Sequence, residues 1–288
     1  MRVWYRSRVI IREMRLWGAP PKASSSPATK VPQEVVEMIV AHFIYDKRSL
    51  LACSLTCYSW YIAAVPHLHH TLIALTTKDH LRPRFIWPIP LLRRHNLGLL
   101  PLVKKLRIWS RRRRPNQISP AQFNRRTLRQ FSTLTNIQDL EIDRLDIPGF
   151  MPRLRRYFGH LLPTVRSLTL KRPKGCHRQI LYFIGLFQHL ENLKLLFPPN
   201  EDFVEPANLP TLIPLFTPPL RGQLTMTFVR GAMILRDMIS LFGGIRFRHM
   251  DLFNVDGMRL LLDACAETLE TLRLYPPNPG RRLPPKSV

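Results

Sequence analysis

An apolar triplet spaced i, i+3, i+5 recurs from about residue 100 to the end of the chain, and it limits what the chain can fold into. It occurs as Val103, Leu106 and Ile108; Ile137, Leu140 and Ile142; Val165, Leu168 and Leu170; Leu190, Leu193 and Leu195; Phe247, Met250 and Leu252; and Leu269, Leu272 and Leu274. The last two members of each triplet flank one other residue (LRI, LEI, LTL, LKL, MDL, LRL), which is the alternation of a short strand with one buried face. Successive copies begin 34, 28, 25, 57 and 22 residues apart, and the gap of 57 has room for a degenerate copy around Leu224 and Met226. Helical patterns occupy the intervals, at 119–132, 150–162, 177–190, 231–242 and 256–267. A supersecondary unit with loop insertions produces such a pattern.

A strand and a helix alternating with a period of some 25 residues resembles a leucine-rich repeat, which implies a parallel sheet curved inside an arc of helices. The Asn or Cys that normally turns the chain after each strand is not consistently placed, and many of the 27 prolines interrupt units. The alternative is a generic α/β domain whose strands begin alike.

Upstream the pattern differs. Residues 1–18 mix Arg with Trp, Val, Ile and Leu, and residues 20–30 (PPKASSSPATK) have the composition of a flexible linker. The expectation is a disordered basic extension over 1–30, and likewise a disordered tail over 276–288. From Val31 the spacing turns helical. Val35, Ile39 and Phe43 lie at i, i+4 and i+8, with Val36 and Val40 beside them, which predicts one wide apolar helical face. A second helix is expected from about Lys47, and a third from Ser59 to about Val65, stopped by Pro66. The core of three such short helices is marginal, so the bundle is expected to lean on a partner or on the next domain.

Residues 31–68, VPQEVVEMIVAHFIYDKRSLLACSLTCYSWYIAAVPHL, resemble an F-box. The matching positions are Pro32 and Glu34 at the opening, Val35 and Ile39 in the first helix, Leu50 and Leu51 entering the second, and Cys57, Trp60, Ala64, Pro66 and Leu68 in the closing stretch. Val31 stands where Leu is usual. The resemblance implies that 31–72 binds the Skp-type adaptor of a cullin-RING ubiquitin ligase while 73–275, the repeat-like region, selects a target for degradation. Val35, Ile39, Leu50 and Leu51 would then be offered to a partner groove. Any one of them could instead belong to the bundle's own core. The fold expected is thus mixed α/β, a three-helix F-box followed by an irregular leucine-rich-repeat-like curved solenoid.

Charge adds a second constraint. The chain carries 44 Lys and Arg against 19 Asp and Glu, and residues 80–138 hold 14 basic and no acidic residues. Such a surface attracts an acidic protein, a membrane or nucleic acid. Within it, Arg111, Arg112, Arg113 and Arg114 suggest a phosphate-binding or nuclear-import patch, a solvated loop being the alternative. If the repeats form an arc, the polar strand positions Lys105, Arg107, Glu141, Arg166, Lys194 and Arg273 would line its inner face. The basic ones suit an acidic or phosphorylated target. Nucleic-acid association through the 80–138 tract is the competing function, although no helix-turn-helix, zinc-finger or RNA-recognition motif supports it.

Several chemistries find no footing. The chain has no Gly-x-Ser-x-Gly, Gly-x-x-x-x-Gly-Lys, His-Glu-x-x-His or Gly-x-Gly-x-x-Gly motif, so no enzyme and no cofactor are expected. His67, His69 and His70 cluster without a converging further ligand and are expected to be exposed or capping residues. The longest apolar run, 180–187, is far short of the roughly 18 to 20 residues of a membrane span, so no membrane partner is expected. The four cysteines fit reduced thiols, with Cys53 and Cys57 in a helical core, in a protein of the cytoplasm or nucleus.

Overall fold

The computed structural model describes residues 27, 31–76, 84–85, 100–110, 131–144, 146–198, 220–229, 233–241 and 244–275. The expectations for 1–30, for Arg111 to Arg114, for most of the helix at 119–132 and for 276–288 lie outside these residues.

Three helices open the fold: α1 (Gln33–Ala41), α2 (Lys47–Ser54) and α3 (Tyr58–His69). Pro32 caps α1, and its carbonyl accepts hydrogen bonds from the Val35 and Val36 amides. Glu34 in the first turn complements the helix dipole. The Asp46 carboxylate caps α2, accepting from the Arg48 amide at 3.0 Å and from the Ser49 hydroxyl at 2.7 Å. Only one edge of the expected wide apolar face of α1 turns inward. Val36 and Val40 are fully buried, while Val35 is exposed and Ile39 half-buried. Pro66 does not stop α3 either. Its missing N–H costs one ladder bond, and burial of Leu68 and His69 carries the helix a further turn.

The chain enters its sheet at once. β1 (Thr71–Thr76) begins two residues after α3, inside the segment assigned by sequence to the helical module. It is followed by β2 (Arg84–Phe85), β3 (Lys105–Ser110), β4 (Asp139–Asp143), β5 (Ser167–Lys171), β6 (Asn192–Leu196), β7 (Leu220–Val229), β8 (Ile245–Val255) and β9 (Thr271–Tyr275). The sheet order is β2-β1-β3-β4-β5-β6-β7-β8-β9, with β2 antiparallel to β1 and all other pairs parallel. From β3 onward each strand therefore pairs with the next one in the chain. Helices α4 (Ile147–Phe158), α5 (His177–Ile184), α6 (Met233–Leu241) and α7 (Met258–Cys265) lie between successive strands, near the sequence expectations.

The triplets explain the register. Leu106, Leu140, Leu168, Leu193, Leu224 and Met250 align across the ladder, as do Ile108, Ile142, Leu170, Leu195, Met226 and Leu252. All twelve are buried to within 2%. Burying a Leu contributes about 1.5–3 kcal/mol, and a one-residue slip would turn a whole row to water. The copy around Leu224 and Met226 is thus a true strand. Its first apolar member is missing because Gly222 stands opposite Phe247, at φ +87°, where a Cβ would lie 2.0 Å from the Glu191 carbonyl oxygen.

One core joins these rows to the inner faces of α4 to α7, through Phe150, Phe158, Ile180, Phe183, Leu235 and Leu261 among others. Among the described residues no element covers the opposite face. Each unit also repeats a rim contact: the carbonyls of His70, Lys104, Gln138 and Arg166 each accept from two successive amides of the next strand's start, at 2.8–3.0 Å. Val65 of α3 packs with Leu100 and Leu102, and Leu100 also touches the main core, which ties the helices to the sheet.

Candidate docking surfaces

The first surface is on the helices. Their inward set is Val36, Val40, Leu50, Cys53, Ala63, Ala64 and Leu68, backed by half-buried Val31, Phe43 and Trp60. Leu50 and Leu68 are therefore internal packing and not available to a partner. Pro32, Glu34 and Pro66 are exposed, and Ile39, Leu51 and Trp60 are half-buried. What stands in water is a different apolar set: Met38 at 67% exposure, Leu55 at 58%, Tyr58 at 51%, Ile62 at 44% and Val35 at 42%, with Tyr45 almost wholly exposed. Val35 and Met38 are neighbours on α1 at i, i+3, and Tyr58 and Ile62 on α3 at i, i+4. Three short helices leave these large side chains unburied, and they are the apolar groups available to a partner.

The second surface is the open polar face of the sheet. Its middle row runs Arg107, Glu141, Thr169, Lys194, Thr225, Asp251 and Arg273 in register. On β3 to β5 Arg107, Glu141, Asp143 and Lys171, with Arg172 just past β5, satisfy one another. Glu141 accepts from Arg107 at 2.8 Å and from Lys171 at 2.7 Å. Burial alone would raise its pKa, but these two hydrogen bonds and the charges behind them prevail and hold the carboxyl below its ordinary value. Asp143 takes Arg172 with both carboxylate oxygens at 2.8 Å. Arg107 is therefore not the free cation that the sequence suggested. Arg166 is not on the face either: it precedes β5, on the rim, where it is exposed and pairs with Glu191 at 3.2 Å. Lys105 is half-buried, and Lys194 and Arg273 are exposed.

Two buried histidines were not anticipated as such. His69 occupies the place before β1 that Val103 and Ile137 hold before β3 and β4, and it is 4% exposed, not a surface cap. Burial, reinforced by the Lys47 charge, pushes its pKa down to about 4. His177 Nε2 meets Asp237 Oδ2 at 2.7 Å, and Arg178 Nε reaches the same oxygen at 3.0 Å, so the three side chains clamp α5 to α6. Among the described residues no group of three His, Cys, Asp or Glu side chains is placed to hold a metal ion, and no helix is long and apolar enough to cross a membrane. All four cysteines are buried free thiols.

No protein-family model matches the chain, and no curated protein matches it at a significant level.

Of the charge excess, 22 basic and 14 acidic residues belong to the described part of the chain, against 22 and 5 in the remainder. The strand-and-helix frame is thus close to balanced, and most of the +25 belongs to the other segments.

Proposed function

We propose that this chain is a non-enzymatic adaptor. Its helical module acts as an F-box that docks the Skp-type adaptor of a cullin-RING ubiquitin ligase, and its parallel-strand domain, a leucine-rich-repeat-like arc, captures a target for ubiquitination. The observation that carries the reading is the exposed apolar set Val35, Met38, Tyr58 and Ile62 on a bundle whose inner set of seven includes the small residues Cys53, Ala63 and Ala64. A helix face of this kind associates by apolar burial in a partner groove. The open polar sheet face supports the second half of the reading, since a sheet covered by helices on one side only leaves a continuous row of side chains for recognition.

The direct test is titration of the full chain with a purified Skp-type adaptor, wild type against Met38→Asp plus Ile62→Asp. Two apolar anchors at about 1.5–3 kcal/mol each predict a loss of roughly 100-fold or more, with unchanged circular dichroism because both side chains are exposed. Equal binding by the double variant, or none by wild type, removes the ligase reading.

A second reading, nucleic-acid association, rests on the 80–138 tract with its 14 basic and no acidic residues. It predicts an affinity that falls steeply with salt, whereas an apolar adaptor contact is salt-tolerant.

A further inference from the structure

The open sheet face has two unlike halves. On β3 to β5 Arg107 and Lys171, with Arg172 just past β5, are engaged by Glu141 and Asp143, and Lys105 is half-buried. On β6 to β9 the middle row reads Lys194, Thr225, Asp251 and Arg273. Lys194 and Arg273 are exposed, and no carboxylate among the described residues lies within ion-pair distance of either. Asp251 instead accepts from Gln223 Nε2 at 3.3 Å. In the next row, Phe253 and Tyr275 stack face to face with ring centroids 3.9 Å apart and planes within 2°, leaving Tyr275 42% exposed. An aromatic shelf therefore lies beside Arg273, on the same sheet face as Lys194 two strands from Phe253.

The spacing of these groups selects a ligand. Three strand steps of about 4.8 Å put the Lys194 and Arg273 backbones roughly 14 Å apart, a span that an extended peptide at about 3.3 Å per residue crosses in four residues. Asp251, between them, repels a continuous run of negative charge. A nucleic-acid backbone, with a phosphate on every nucleotide, would set one against it. A peptide with separated acids avoids this.

We propose that the β6 to β9 half is where a target is held. The target presents an extended segment with two acidic residues four positions apart and an aromatic or aliphatic residue between them, which rests on Phe253 and Tyr275. This deepens the target-capture reading above and depends on it.

The experiment is selection of a random 12-residue displayed peptide library on the full chain, followed by titration of enriched peptides against variants at about 0.15 M salt, where the Debye length of about 8 Å keeps the two halves distinct. The expected consensus is the spaced acidic pair around an apolar residue. Binding should weaken at least 30-fold in Lys194→Glu plus Arg273→Glu and about 10-fold in Phe253→Ala plus Tyr275→Ala, and should hold in Lys105→Glu on β3. All variants are to match wild type in circular dichroism. Peptides that lack the acidic pair, or that lose affinity in Lys105→Glu and not in the Lys194 and Arg273 variant, overturn the placement and leave target capture by the face standing. No enrichment, or enriched peptides indifferent to every substitution on the face, overturns both.

Discussion

In the helical module three of the seven residues turned inward are small, Ala63, Ala64 and Cys53 beside Val36, Val40, Leu50 and Leu68, while Met38, Tyr45, Leu55, Tyr58 and Ile62 stand in water. In the sheet the arrangement is reversed. Leu, Ile and Phe fill its interior, and large exposed apolar residues gather at its last strands, at Phe228, Leu272, Leu274 and Tyr275. Where apolar area is removed from water by the chain itself, it stabilises the fold; where it is left in water by a bundle this small, it is available to a partner. The sheet is therefore self-sufficient in a way that the helices are not.

The largest expected effect tests the sheet side of this contrast. Leu168→Ala, at the centre of a fully buried row, should cost about 3–5 kcal/mol in urea unfolding. Met38→Asp should stay within about 0.5 kcal/mol of wild type. If Met38→Asp costs as much as Leu168→Ala, the exposed helical residues serve folding and the contrast fails.

The next effect sits at the junction of the two regions. The folded chain keeps His69 neutral down to about pH 4, whereas an unfolded histidine takes up its proton near 6.5. Between these values the unfolded state binds more protons, so stability is complete above pH 6.5 and falls as the pH drops toward 4, by on the order of 3 kcal/mol. His69→Leu, which supplies the apolar residue found before β3 and β4, should flatten that segment of a stability-pH curve. An unchanged slope would assign the acid sensitivity to another group, His70 being the nearest candidate because its pKa is also lowered by burial.

Smaller effects sharpen the division of the polar face. Glu141→Gln weakens the contacts to both Arg107 and Lys171 and should lower stability by about 1–2 kcal/mol, less at high salt. Phe228, at φ +53°, adopts the left-handed backbone that Asn254 adopts at +51° in the adjacent strand. Phe228→Asn should raise the unfolding free energy measured in urea by about 0.5–1 kcal/mol, since Asn tolerates this conformation better.

Much of the sheet was legible in the sequence, because a row of Leu or Met every 22 to 34 residues has few other uses. A copy around Leu224 and Met226 was suggested by the length of the gap, although Gly222 stands in place of the first member of their triplet. β1 was not found, because His69 and Ala74 replace two apolar members of its triplet and composition does not reveal that a histidine is buried. On the helices, the existence of an apolar stripe could be read, but not which edge of it faced inward. Val35 and Val36 look alike to a period count, and only packing against Leu50 and Ala64 decides between them. The polar face was the least legible part. Arg107, Glu141 and Lys171 are some 30 residues apart in sequence, and a net charge says nothing about which cations neutralise which acids.

Hydrogen exchange of the full chain with and without a purified Skp-type adaptor tests the central claim most directly. The account predicts slower exchange, by tenfold or more, in peptides covering 33–62, with β3 to β9 unchanged. No change in the helices, or protection confined to the sheet, would contradict it.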